Sequence, residues 1–89
     1  MNILVCQPVT ENMRHRFGRL FPEHRFVYNE KPAPEDFARA EVIFGFPEPE
    51  MIKYAENLRF VQLCSSGAEK HVDVVPRNIP LCSTTGILI

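Results

Sequence analysis

Short apolar runs, rich in β-branched residues, alternate along this chain with segments whose apolar positions recur at helical spacing. Asn2–Cys6 (NILVC) is a continuous apolar run ended by Gln7-Pro8 and reads as a buried strand. Thr10 then stands as an N-cap, with Glu11 in the first turn. Met13, Phe17, Leu20 and Phe21 fall at i, i+4, i+7 and i+8, one face of a helix. Arg14, Arg16 and Arg19 take the other faces, and Pro22 stops the helix. His24–Tyr28 predicts a second strand and Asn29–Pro34 a turn. Pro34, suited to the first helical position and followed by Glu35 and Asp36, predicts a short helix to Ala40. Val42–Phe44 is a third strand, closed by Gly45. Pro47 and Pro49 lead into a helix with Met51, Ile52 and Ala55 inward, ended by Asn57. Leu58–Leu63 is a fourth strand, Cys64–Lys70 a loop, His71–Arg77 a turn or short helix, and Pro80–Ser83 a fifth strand.

This alternation predicts an α/β fold: a doubly wound, mostly parallel five-stranded sheet of flavodoxin-like order, with helices on both faces. Crossovers of this kind are right-handed. After the fifth strand the pattern ends on Thr85-Gly86-Ile87-Leu88-Ile89, with no helix to cover that strand. Parallel sheets are buried on both faces. The expectation is therefore that residues 1–89 form one domain, incomplete at its C-terminal side, of a longer protein.

Composition narrows the classes. The chain has 89 residues, 45% hydrophobic and 24% charged, which suits one globular domain and argues against disorder. A formal net charge of −1 removes the electrostatic case for nucleic acid or an anionic membrane surface as partner. No apolar run reaches membrane-spanning length, and MNILVCQPV lacks the basic start and long apolar core of a signal peptide. Three cysteines without a C-x-x-C spacing argue against a disulfide scaffold and point to a reducing, cytoplasmic setting. The 8 prolines fall between the predicted elements or near their ends and act as punctuation.

Ligands of open α/β sheets bind beyond the carboxyl ends of the strands. Here those ends are Gln7-Pro8, Gly45-Phe46-Pro47, Ser65-Ser66-Gly67 and Ser83-Thr84-Thr85-Gly86. Ser65, Ser66 and Gly67 make the best candidate site: small residues allow close approach, and successive backbone N–H groups form a concavity for a carboxylate or phosphate. The competing reading is a strand-to-turn connection whose serines cap the next turn. Gly45 allows a tight exit from its strand, and Phe46 either covers the core or forms the apolar wall of a pocket. His71 and Asp73 could form an acid/base pair, but their spacing of two does not share a helical face. A surface histidine beside a turn-capping aspartate is the better reading. Cys64 adjoins the proposed anion site, where a depressed thiol pKa competes with simple packing, and packing is favoured. The scattered histidines and cysteines show no metal-ligand spacing. The chain carries no G-x-G-x-x-G, no G-x-x-x-x-G-K-[ST] and no G-x-S-x-G, and Cys6-Gln7 replaces the acidic residues a phospho-receiver domain needs there.

Three stretches carry a family resemblance: Ala40-Glu41-Val42-Ile43-Phe44-Gly45-Phe46-Pro47, Ala55-Glu56-Asn57-Leu58-Arg59-Phe60-Val61-Gln62-Leu63 and Ser65-Ser66-Gly67-Ala68-Glu69. Arg77-Asn78-Ile79-Pro80-Leu81-Cys82 extends it. Together they resemble the N-terminal region of the D-isomer-specific 2-hydroxyacid dehydrogenases. The likeness runs over essentially the whole chain and is most specific from Asn57 to Gly67. Two departures stand out: Glu69 sits where the family has Asp, and the stretch from Gly67 to Asp73 is one residue longer than the commonest form.

The resemblance implies a flavodoxin-like substrate domain, partnered in the parent protein by a Rossmann domain that binds NAD or NADP. Such a parent moves a hydride between nicotinamide and C2 of a small 2-oxo or D-2-hydroxy acid, and is a homodimer. It further implies that backbone N–H groups at Ser66 and Gly67 hold the substrate carboxylate and that Gly45 and Phe46 line the pocket. The family's catalytic arginine, glutamate and histidine, and its dinucleotide loop, lie downstream, so this chain would bind no cofactor and supply no catalytic residue. A stand-alone module that binds a carboxylate or phosphate without turnover is the alternative. A pairing domain that offers Ile87-Leu88-Ile89 to another chain is a third.

Overall fold

The computed structural model describes residues 1–64, 69–83 and 86–87, with the backbone alone at 69, 70, 86 and 87. Its strands are β1 (Asn2–Cys6), β2 (Arg25–Tyr28), β3 (Val42–Gly45), β4 (Phe60–Leu63), β5 (Leu81–Ser83) and β6 (Gly86–Ile87). They form one sheet in the order β2-β1-β3-β4-β5-β6. The first five run parallel, as the alternating pattern predicts, and β6 is added antiparallel to β5 through Cys82↔Ile87 and Ser83↔Gly86. That two-residue strand is too short to leave a periodicity in the sequence.

Side chains alternate between the two faces of the sheet, and the faces are covered unequally. Leu4, Cys6, Ile43, Val61, Leu63 and Leu81 point into one buried cluster. Helix α2 (Pro34–Arg39) closes that cluster with Phe37, and a 3₁₀ helix (Pro49–Tyr54) with Ile52. In α2, Pro34 takes the first turn as predicted, and the Asp36 carboxylate accepts from the Ala33 N–H at 2.9 Å. The second segment was expected to be an ordinary helix reaching Asn57. It is 3₁₀ instead and ends at Tyr54, because six residues between Pro49 and a tight turn leave room only for short i→i+3 bonds such as Ala55 N–H to Ile52 O, 2.9 Å. Asn57 serves elsewhere: its Nδ2 donates to Ala38 O at 3.0 Å.

On the opposite face lies α1 (Glu11–Leu20), capped by Thr10, whose side chain accepts from Met13 N at 3.2 Å. Phe17 stacks on Phe26 at 5.7 Å, but Met13, Leu20 and Phe21, the other members of the predicted inward stripe, are exposed. The stripe is apolar at the right spacing, yet α1 touches the sheet at one edge. An apolar cleft of about 330 Å³ remains between them, lined by Phe17, Phe21, Phe26, Phe44, Ile3 and Val5 among others. Helix α3 (Glu69–Val72) begins and ends earlier than the predicted His71–Arg77. Glu41 ties three strand beginnings together. Its carboxylate accepts from Asn2 N at 3.0 Å and stands 3.8 Å from Arg59, while its carbonyl accepts from Arg59 N at 2.7 Å.

The one-sided core makes a prediction. Leu63→Ala, at a position 1% exposed in the central parallel ladder, should cost about 2–5 kcal/mol. Met13→Ala, on the open side of α1, should stay within about 0.5 kcal/mol. Urea unfolding of both variants checks the asymmetry.

Candidate functional site

The order β2-β1-β3-β4 creates a switch point. The chain leaves β1 for a neighbour on one side and leaves β3 for a neighbour on the other, so a crevice opens between their carboxyl ends. Cys6 and Gly45 face each other there in register. Gly45 has φ +121°, and a Cβ on it would lie 3.0 Å from both the carbonyl carbon and oxygen of Cys6 and 3.2 Å from Gln7 Cβ. A side chain there is strained by the backbone conformation, and its Cβ would push the Cys6 carbonyl by a few tenths of an ångström, so glycine is strongly favoured.

Hydrogen bonds from three directions hold the turn that follows. Phe46 N–H donates to Cys6 O at 3.2 Å, and Cys64 N–H donates to Gly45 O at 3.0 Å. Pro47 is buried, and its carbonyl accepts from His71 Nε2 at 2.8 Å. The turn 45–47 is therefore fastened to the ends of β1 and β4 and to α3. On this fixed backbone the Phe46 side chain stays 53% exposed. Phe46 is therefore outside the buried core cluster.

Gly45 and Phe46 thus come together at the switch point. Ser65, Ser66 and Gly67 lie outside the described residues; Cys64, directly before them, is the residue bonded to Gly45. Thr84 and Thr85 also lie outside, while Ser83 is buried at the end of β5. Among the described residues, no group of three His, Cys, Asp or Glu side chains could hold a metal ion. No helix among them is long and apolar enough to cross a membrane.

His71 corrects the sequence reading. It was expected on the surface, and it is 9% exposed. Asp73 is exposed, so the two do not form a buried acid/base pair. The signal that could have shown this is the four-residue spacing of His71 and Val75, both buried, around exposed residues 72–74. Cys6 is a packing group of the buried cluster. Burial, with a smaller contribution from the negative charge of Asp36, pushes the Cys6 thiol up to about 12. Burial also raises the Cys64 pKa, opposite to the depression an activated thiolate needs.

No protein-family model matches the chain, and no curated protein matches it. Solved structures do. The fold is similar to that of phosphoglycerate dehydrogenase from Lactobacillus plantarum, with a TM-score of 0.71, 19% identity, and coverage of 97% of this chain and 29% of that one. It is also similar to NAD-dependent formate dehydrogenase from Staphylococcus aureus, solved in complex with NAD: TM-score 0.67, 14% identity, coverage of 93% and 32%. Both are dehydrogenases by name. At these identities the likeness establishes a shared fold, and this chain spans about 30% of the length of either neighbour.

Two outcomes follow from this geometry. Gly45→Ala should destabilise the protein by about 1–3 kcal/mol from backbone strain alone, and more where the Cys6 carbonyl must move; urea midpoints read it. The Cys6 thiol has an ordinary pKa of 9.0 and is held protonated to about 12 in the folded state, so the unfolded chain loses its proton first. Stability should therefore fall as pH rises from 9 towards 12, and Cys6→Ala should lessen that fall, the remainder coming from Cys64 and Tyr28, whose pKa values burial also raises; Tm against pH measures it.

Proposed function

We propose that this chain is the substrate-binding portion of an NAD(P)-dependent oxidoreductase acting on the CH–OH of a small D-2-hydroxy acid, or on the matching 2-oxo acid. Its own contribution is to bind the carboxylate. The observation that carries the reading is the 3.0 Å bond from Cys64 N–H to Gly45 O. It joins the start of the Ser65-Ser66-Gly67 segment to the turn at the sheet's switch point. Backbone N–H groups of Ser66 and Gly67 are the donors for a carboxylate, a neutral cradle that suits an anion in a chain of net charge −1. Phe46 is the apolar wall that meets the rest of a small substrate.

On this reading hydride transfer, the cofactor and the acid/base group belong to the remainder of the parent protein. That remainder would carry NAD or NADP in its own domain, and the parent would be a cytoplasmic homodimer. The motif resemblance supports this assignment, as does the fold shared with two dehydrogenases, one of them holding NAD.

The deciding experiment is NADH and NADPH consumption by the full-length protein with a panel of 2-oxo acids, glyoxylate and pyruvate included. Turnover sustains the reading. No turnover, combined with calorimetric binding of pyruvate or phosphate by the 89-residue chain, would favour a binding module instead. Ser66→Pro removes one backbone donor without removing apolar core. In the active protein it should raise KM for the oxo acid about tenfold or more, the loss of one charge-assisted bond. An unchanged KM would place the carboxylate elsewhere.

A further inference from the structure

Helix α1 buries none of its 10 residues. Isolated helices shorter than about 12–15 residues are marginal in water and depend on a packed face. Two aromatic contacts hold α1 at the sheet edge. Phe17 stacks on Phe26 at 5.7 Å, and the Arg14 guanidinium lies 4.7 Å from the centre of the Tyr28 ring. Much of the apolar stripe is turned to water. Leu20 is 63% exposed, the most of any large apolar side chain among the described residues, and Met13 is 42% exposed. The two stand seven positions apart, which is two helical turns, so they share one line along the helix.

Cations flank that line. Arg16 is i+3 from Met13 and i−4 from Leu20, so it stands between them on the same face, and Arg19 adjoins Leu20. Arg16, Arg19 and Leu20 line a shallow depression of about 290 Å³. Both guanidiniums are exposed, and neither has an ion pair among the described residues, whereas Arg14 is engaged by Tyr28. The acids nearest in sequence are Glu11 at the helix start and Glu23 beyond its end, and Glu23 stands 3.4 Å from His24. The complement of such a face is an apolar ridge edged with carboxylates.

We propose that the face of α1 formed by Met13, Arg16 and Leu20 docks a separate protein, through an amphipathic helix whose apolar residues cover Met13 and Leu20 and whose carboxylates pair with Arg16 and Arg19. The row at i, i+3 and i+7 matches the ridge of a helix and not the two-residue repeat of a strand. A second copy of this chain fits worse. Two α1 helices meeting about a twofold axis through this face bring Arg16 onto its own equivalent, like charges at the centre of the contact. An anionic membrane also fits worse, because Glu11 and Glu23 stand at the two ends of the helix and the whole chain carries a net charge of −1. The face is small, so the contact belongs to the transient class. It lies on α1 and does not depend on what the switch-point site binds.

The test uses the full-length protein and a synthetic helical peptide with leucine at i, i+3 and i+7 and glutamate on both sides of that line, read by fluorescence anisotropy. The peptide should bind, added salt should weaken it, and the same peptide with lysine for every glutamate should not bind. Arg16→Ala combined with Arg19→Ala should weaken binding roughly tenfold. Leu20→Ala should weaken it by about as much. Alanine is the best helix former, so neither variant endangers α1. With methyl-labelled methionine, the Met13 resonance should move on binding, while that of Met51, packed against the core, stays in place. Equal binding of both peptides, or binding that Leu20→Ala leaves unchanged, overturns the proposal. So does an absence of binding with an unmoved Met13 resonance, the result expected if another part of the parent protein covers the face. Self-association in sedimentation that Leu20→Ala abolishes would assign the face to a second copy and overturn the acidic partner. Pelleting with phosphatidylserine-containing vesicles that Leu20→Ala abolishes would assign it to a membrane, with the same consequence.

Discussion

Cys6 and Gly45 end neighbouring strands at the same level, and the chain must leave both through one small space. A Cβ on Gly45 would meet the Cys6 carbonyl at 3.0 Å, so the exit of β3 passes over the end of β1 at the limit of van der Waals approach. That crowding sets the direction in which residues 46 and 47 depart. It brings Phe46 N–H onto Cys6 O and aims Pro47 inward, towards α3. With any other residue at position 45, the strained backbone and the Cys6 carbonyl would have to shift, and the Phe46 N–H to Cys6 O bond would shift with them. The shape of the crevice thus follows from one missing methyl group at the switch point.

The uneven core explains why a turn with little apolar area of its own can hold a defined shape. Ile43, Val61 and Leu81 are fully buried on adjacent parallel strands, with Leu63 next to them, and α2 and the 3₁₀ helix seal that face. The strand ends beside the turn are therefore backed by packed core. Each hydrogen bond to the turn contributes only about 1 kcal/mol, and the three reach it from β1, from the end of β4 and from α3. The opposite face is held mainly by the Phe17–Phe26 stack and leaves a cleft. The packed cluster lies on the face that α2 and the 3₁₀ helix cover, and the cleft lies under α1.

Much of this was legible beforehand, for identifiable reasons. NILVC, VIFG and FVQL read as strands because both sides of a parallel ladder favour apolar, branched residues. Thr10 and Pro34 announced their helices by capping chemistry that needs no tertiary context. What escaped depended on neighbours distant in sequence. The stripe Met13–Phe21 has helical spacing, but spacing does not say how closely a helix is pressed to a sheet. His71 looked like a surface residue because its partner, Pro47 O, is a backbone atom that leaves no mark in composition. Gly45 and Phe46 could be placed at a strand exit because a strand end followed by glycine is a local signal. The roles of Ser65, Ser66 and Gly67 rest on the same kind of signal at the end of β4.

The residues that make the family resemblance most specific turn out to be scaffold. Asn57 donates to Ala38 O, Leu58 and Val61 are buried, and Arg59 N–H donates to Glu41 O. Each has a structural task that any protein with this sheet order could require. Motif and fold therefore agree partly because they report the same packing. The chemistry has to be argued from different atoms: the N–H groups after Cys64, the exposed ring of Phe46, and the carbonyl that His71 holds. A ring more than half exposed, on a backbone fastened from three directions, spends hydrogen bonds to hold apolar surface in water. Presenting that surface to a small molecule is the reading that accounts for both.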